Sequence, residues 1–192
     1  MKIHIFANEE PLHEAAAQTI VRLLKQKPDA VLGLATGGTP VGIYEKLTAA
    51  VRRGEVSFAR ATTFNLDEYV GLPPDHPESY HSYMNRHLFR HIDLPPERAH
   101  IPDGNAADLD RECERYERLL QDAGRIDLML LGIGHNGHIG FNEPGPALHG
   151  KTHVAVLHPK TREANARFFR SPDEVPTRAV TMGLGAIFRS VT

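Results

Sequence analysis

The stretch Asp127-Leu-Met-Leu-Leu-Gly-Ile-Gly-His-Asn-Gly-His-Ile-Gly-Phe-Asn-Glu-Pro144 runs an apolar segment straight into a glycine-rich turn. The apolar part reads as a buried strand over 127–131. The turn places two histidines, an asparagine and a glutamate within nine residues: His135, Asn136, His138 and Glu143. In open α/β sheets, ligands and chemistry sit beyond the carboxyl ends of the strands. This one junction therefore predicts both the kind of sheet and the edge that carries the site.

The same construction recurs toward the N-terminus. Ala30 to Ala35 is a continuous apolar run, as expected of a strand covered on both faces, and it ends in Thr36-Gly-Gly-Thr-Pro40. Ala61 to Leu66 reads as another strand and ends in Asp67-Glu68. Between the strands lie helical spacings: Leu12, Ala16, Ile20, Leu23 and Leu24 within 11–25, then 40–53, 78–90, and Leu109, Cys113, Tyr116, Leu119 and Leu120. His153 to Leu157 is a further strand and 160–168 a short helix. Alternation of this kind predicts a Rossmann-like α/β domain, with a doubly wound, mostly parallel sheet and helices on both faces. Lys2 to Ala7 alternates and is expected as a short edge strand. Ala179 to Ser190 begins another unit with no closing element before Thr192. The reading is one α/β domain over 1–192 that lacks its C-terminal segment.

At 192 residues the chain suits one domain with a sizeable core. Hydrophobic residues at 41% and charged residues at 24% are an ordinary globular balance. The net charge of -2 argues against a nucleic-acid partner. No apolar stretch approaches the ~20 residues needed to span a bilayer, and the N-terminus does not read as a signal peptide. The cytoplasm is the default location and no membrane partner is expected. The single cysteine, Cys113, excludes an internal disulfide and is expected to pack rather than react.

Thr36-Gly37-Gly38-Thr39-Pro40 reads in two ways. It is a tight strand-to-helix turn, or it is a phosphate cradle with Thr39 as helix cap, Pro40 at the first helical position and free N–H groups aimed at an anion. A nucleotide P-loop is excluded, because no Gly-Lys-Ser/Thr follows. Gly132-Ile-Gly-His-Asn-Gly137 matches a dinucleotide fingerprint in form only, since neither a helix start nor a ribose-binding acid follows. Within that turn, His138 either moves protons, with Glu143 fixing its tautomer and Asn136 steering the ring, or satisfies backbone groups. His135 reads as a solvent-facing bystander. Asp67 and Glu68 fall on the same sheet edge, where one of them can serve as a general base and either can be a cap or surface acid. His87 and His91 have the i, i+4 spacing of a metal helix, but the intervening Leu-Phe-Arg lacks the glutamate. They read as a solvated helix face, and no metal is expected.

Together these motifs resemble the glucosamine-6-phosphate deaminase family. The resemblance is carried by Leu34-Ala-Thr-Gly-Gly-Thr-Pro40, Phe64-Asn-Leu-Asp-Glu-Tyr-Val-Gly71, His76-Pro-Glu-Ser-Tyr80, Gly132 to Pro144 and Ala164-Asn-Ala-Arg-Phe-Phe169, in the family's order. It implies a hydrolase of amino sugar catabolism that converts glucosamine 6-phosphate and water to fructose 6-phosphate and ammonia, without an organic cofactor. Carried onto this chain, His138 would open the sugar ring, assisted by Glu143 and Asn136, and Asp67 would move the proton between carbons 2 and 1. Thr36, Gly37, Gly38 and Thr39 would hold the 6-phosphate, with Arg167 as its positive partner. Many members have aspartate where Asn136 stands. The family also has a C-terminal segment with a phosphate-binding lysine and a lid contact, so a polypeptide ending at Thr192 is expected to bind phosphate weakly and turn over little. Gly145 to His153 lacks the serine pair and basic pattern of members activated by N-acetylglucosamine 6-phosphate, and no such activation is expected. Members range from monomers to hexamers, which leaves a homo-oligomer open. Two rival readings are a 6-phosphogluconolactonase and a non-catalytic sugar-phosphate sensor. The first does not call for Asp67 or for Phe-Asn-Glu-Pro, and the second has no use for Asp67, His138 and Glu143 together.

Overall fold

The computed structural model describes residues 2–134, 136–146 and 148–191. The first helix, α1 (Glu9–Gln26), starts where the Asn8 side chain accepts from Glu10 N, with Glu9 and Glu10 on its positive end. Strand β1 (Val31–Leu34) leads into α2 (Gly38–Arg52), which returns to β2 (Thr62–Asn65). One residue later the chain enters β3 (Asp67–Tyr69). Then come α3 (Tyr80–His87), capped by Ser79, β4 (Ala99–His100), and α4 (Leu109–Asp122), capped by Asp108. The remainder is β5 (Leu128–Met129), β6 (His153–Val156), α5 (Pro159–Asn165), β7 (Arg178–Thr181) and α6 (Leu184–Phe188).

The first sheet has the order β4-β2-β1-β5 and every pairing in it is parallel. From β1 the chain winds outward to β2 and β4, then returns to add β5 on the other side. The winding direction therefore reverses between β1 and β5, which is the switch point where such sheets hold ligands. Alternate residues of β1 feed two cores. Leu32 and Leu34 pack with Ile20, Leu24, Tyr44, Leu47 and Met84 of α1, α2 and α3. Val31 and Ala35 share the opposite core with Tyr116 and Leu120 of α4 and Ile187 of α6. Helices cover both faces, as the uninterrupted apolar runs require.

A second sheet, β3-β7-β6, is antiparallel, which the sequence reading did not foresee. Asp67 pairs with Thr181, and Thr181 with His153. The strand expected at 153–157 is present as β6, but it belongs to this sheet. The expected edge strand at Lys2 to Ala7 is not formed. Ile3 and Ile5 are exposed, and among the described residues nothing pairs with that segment, so its alternation has no face to bury.

Candidate active site

Three chain segments leave the carboxyl ends of β1, β2 and β5 and surround a cavity of about 370 Å³, a size suited to a small sugar. The first is the loop after β1. Gly37 has φ 118, a conformation that favours glycine, and it turns the chain so that α2 begins at Gly38. The expected cap at Thr39 is thus corrected. Helix α2 starts two residues earlier, no side chain among the described residues caps it, and Pro40 lies within the first turn, where its missing N–H still leaves no bond broken. Thr36, Gly37 and Gly38 line the cavity, whereas Thr39 is exposed and outside the lining. The uncapped N–H groups of this turn remain free for an anion, with the helix dipole behind them.

The second segment is the crossing from β2 into β3. Asp67 lines the cavity with its residue only 7% exposed. Among the described residues no donor holds its carboxyl. Burial, reinforced by the neighbouring Glu68 charge, pushes it up to about 8. Its neighbour has the opposite fate. Glu68 faces away, accepting from the backbone N–H groups of Tyr69 at 2.7 Å, Tyr80 at 3.0 Å and His81 at 3.0 Å, and meeting His81 Nδ1 at 2.8 Å. It is the cap that docks the positive end of α3, one of the two roles the sequence left open.

The third segment is the turn after β5. His138 Nδ1 meets Asn136 Oδ1 at 2.7 Å, Asn136 Nδ2 donates to Glu143 Oε2 at 2.6 Å, and Thr161 Oγ1 donates to Glu143 Oε1 at 2.6 Å. Because the Asn136 amide donates to Glu143, its oxygen faces the ring. That oxygen can only accept, so Nδ1 carries a proton and Nε2 is left to act on a ligand. Burial raises the Glu143 carboxyl. The hydrogen bonds from Thr161 and Asn136, and the nearby His138, outweigh that and hold it below the usual carboxylate range. The imidazole lies flat on Gly134, where a Cβ would come within 2.2 Å of the ring. His135 falls outside the described residues.

Thr181 of β7 joins the second and third segments. It pairs with Asp67 across the antiparallel sheet, and its hydroxyl accepts from Phe141 N at 3.1 Å. Asn142 Nδ2 donates to Met182 O at 2.8 Å. A Cβ at Gly140 would stand 3.2 Å from Asp67 Oδ2, so the His138 turn rests against the acid.

The remaining wall is one that sequence reasoning missed. Tyr80, Tyr83, Arg86 and His87 of α3 line the cavity, and Tyr83 Oη donates to Gly37 O at 2.6 Å. The reading of His87 as part of a solvated face is corrected: burial and Arg86 push its imidazole below the ordinary value, while His91 lies outside the lining. Tyr80, Tyr83 and His87 fall at i, i+3 and i+7, a one-face spacing that could have flagged them. Opposite, Arg167 lines the cavity with its guanidinium 4.8 Å from the Phe168 ring, and Asn165 Nδ2 donates to Tyr69 Oη at 3.0 Å. Among the described residues no group of three or more potential metal ligands is found. Cys113 is buried and its thiol is pushed up to about 11, which suits packing. Among the described residues no helix is long and apolar enough to cross a membrane.

Residues 7–191 match a family model described as glucosamine-6-phosphate isomerases/6-phosphogluconolactonase. A glucosamine-6-phosphate deaminase of Bacillus velezensis is 58% identical over 93% of this chain and 74% of its own length. The solved structure of a monomeric glucosamine-6-phosphate deaminase superposes with a TM-score of 0.96 at 53% identity, over 99% of this chain and 79% of that one. A 6-phosphogluconolactonase from Thermotoga maritima is more distant, with a TM-score of 0.69 and 25% identity over 96% of this chain and 77% of that one.

Proposed function

The chain belongs to the family of glucosamine-6-phosphate isomerases and 6-phosphogluconolactonases, and within it we infer that it is a glucosamine-6-phosphate deaminase. It converts glucosamine 6-phosphate and water to fructose 6-phosphate and ammonia. The observation that carries this reading is the pairing of two proton-handling groups on one cavity: a buried Asp67 carboxyl with no donor among the described residues, and a His138 ring backed through Asn136 by Glu143. Lactone hydrolysis needs no base poised over two adjacent carbons.

The proposed sequence begins with His138. Its Nε2 takes the proton from the anomeric hydroxyl and delivers it to the ring oxygen, and the pyranose opens to the aldehyde. Glu143 and Asn136 hold the imidazole in the required tautomer. Asp67, ionised, takes the proton from carbon 2 and returns it to carbon 1 of the resulting enolamine. The ketose imine so formed adds water and releases ammonia. The oxidation at carbon 2 is balanced by reduction at carbon 1 within the same molecule, so the reaction needs no hydride carrier. The substrate's own ammonium group, next to carbon 2, draws the Asp67 carboxyl toward its ionised form. Thr36, Gly37 and Gly38 receive the 6-phosphate at the start of α2, and Arg167 offers it a planar fork. Thr39 follows them in the same turn, outside the cavity lining. One copy of the chain supplies all these groups, so the reading needs no second subunit. A charged sugar phosphate does not cross a bilayer unaided, which supports a cytoplasmic location.

The test is ammonia release from glucosamine 6-phosphate with fructose 6-phosphate followed in parallel, for the wild type and Asp67→Asn. Stoichiometric products that vanish in the variant are expected. Binding of the sugar phosphate without products would sink the deaminase reading in favour of a sensor.

A further inference from the structure

We propose that Thr161 is a positioning residue for ring opening, holding Glu143 so that Asn136 presents its oxygen to His138. The proposal rests on the deaminase reading above. Thr161 is 5% exposed on the first turn of α5, and its hydroxyl meets Glu143 Oε1 at 2.6 Å while Asn136 Nδ2 meets Oε2, also at 2.6 Å. The two carboxylate oxygens are thus pinned from two different parts of the chain. The other groups facing Glu143 are the backbone N–H of His158 and the ring of His138, whose Nδ1 lies 3.7 Å from Oε2.

The consequence follows from donor and acceptor counts. An ionised carboxylate accepts only, so both Thr161 and Asn136 must donate to it. With its amide nitrogen committed to Glu143, Asn136 can offer only its oxygen to His138, which fixes the proton on Nδ1. If the carboxylate turns away or takes up a proton, the amide is free to flip. The flipped amide would donate to Nδ1, move the ring proton to Nε2 and remove the basic nitrogen from the cavity. Thr161 therefore reaches the ring through two intermediates. The same short segment carries Asn165, bonded to Tyr69, and Arg167 on the cavity wall. The proton relay and the proposed phosphate arm are joined by a few residues, those of α5 and the 3-10 turn that follows it.

Thr161→Val keeps the shape and removes the hydroxyl, and Thr161→Ser restores it. For Thr161→Val, kcat for ammonia release should fall about 3- to 10-fold, the loss expected when one hydrogen bond holding Glu143 is removed while Asn136 keeps the other, with KM little changed. Below the limb set by Asp67, the further loss of kcat that follows protonation of Glu143 should begin at higher pH, because Glu143 loses a donor that favours its ionised form. Thr161→Ser should recover most of the activity. Affinity for the acyclic amino-alditol 6-phosphate, which has no ring to open, should match the wild type. Wild-type kcat and pH limb in Thr161→Val would overturn the proposal, as would equal damage from Thr161→Ser or a matching loss of alditol binding. The His138 ring-nitrogen NMR shifts read the tautomer in any folded chain. Protonation at Nδ1 in the wild type, displaced in Thr161→Val, is expected, and an unchanged tautomer overturns the proposal even if the wild type releases no ammonia. That last result alone would count against the deaminase reading.

Discussion

Asp67 and Glu143 are two carboxyl groups serving one cavity, and they are held in opposite ways. Asp67 sits where the chain leaves the parallel sheet for the antiparallel one. Among the described residues it has no donor, and burial followed by the charge of Glu68 raises it to about 8. Glu143 closes the turn after β5. Burial raises it as well, yet Thr161, Asn136 and His138 more than offset that and keep it below the usual range. Depth and donors both separate the two: Asp67 is buried and, among the described residues, without a donor, whereas Glu143 is only half-buried and held by two. A base that must gain and lose a proton works best with a value near the working pH, whereas a group that only orients a histidine works best permanently charged. Environments that push two carboxyls apart are a guide to which one does which job.

Exchanging each acid for its amide should break the symmetry of sequence between them. Asp67→Asn removes the proposed base and should cost about 10³-fold in kcat, within the range for general bases. Gly134→Ala forces a Cβ to within 2.2 Å of the His138 ring and should cost about 10²-fold by displacing it, with the Asp67 environment untouched. Glu143→Gln keeps an acceptor for Asn136 and should cost only about tenfold. Steady-state ammonia release on the three variants checks the order, and equal losses for the two amides would end the distinction. The pH profile sharpens it. A base must be ionised, so kcat/KM, which reports the free enzyme, should fall as pH drops through about 8. In the complex the substrate ammonium favours the ionised carboxyl, so the same limb in kcat should lie at lower pH. Coincident limbs would show that Asp67 does not meet that charge.

Much of this was legible in the chain. Ala30 to Ala35 and Asp127 to Leu131 read as buried strands because the first is apolar throughout and the second from Leu128 onward, and the polar turns that follow mark the switch point. Asp67, Asn136, His138, Glu143 and Arg167 could be singled out on chemistry and resemblance. The second sheet could not. Strand β3 follows β2 after a single residue, and its partner β7 lies more than a hundred residues later. Local periodicity carries no record of such a pairing. Lys2 to Ala7 shows the converse error, since it has the alternation of a strand and, among the described residues, no backbone to pair with. The α3 wall was missed because its cavity face mixes tyrosine, arginine and histidine, which on a pattern of apolar residues looks like solvent. The helix start was misplaced because Thr39 is the better cap by type, while Gly37 alone tolerates the φ the turn needs.

The smallest expected effect is also the one in which the two acids should differ in sign. Asp67 is raised in the folded chain from an ordinary 3.8 to about 8. Between those values the folded state keeps a proton that the unfolded state has released, so stability falls as pH rises through that window. Asp67→Asn removes the group, and its melting temperature should exceed that of the wild type by a few degrees at and above pH ~8, at about 2–4 °C for each kcal/mol. The gap should close toward pH ~4, where the carboxyl is protonated in both states. Glu143 is depressed in the folded chain, so its contribution is present above its unfolded value of about 4.3 and is lost as pH falls through the folded one. Glu143→Gln should therefore melt below the wild type at neutral pH and approach it in acid. Thermal melts of the two variants over that range decide the matter. A loss in both variants would mean that Asp67 has a donor in solution after all, and the division of labour between the two carboxyls would have to be redrawn.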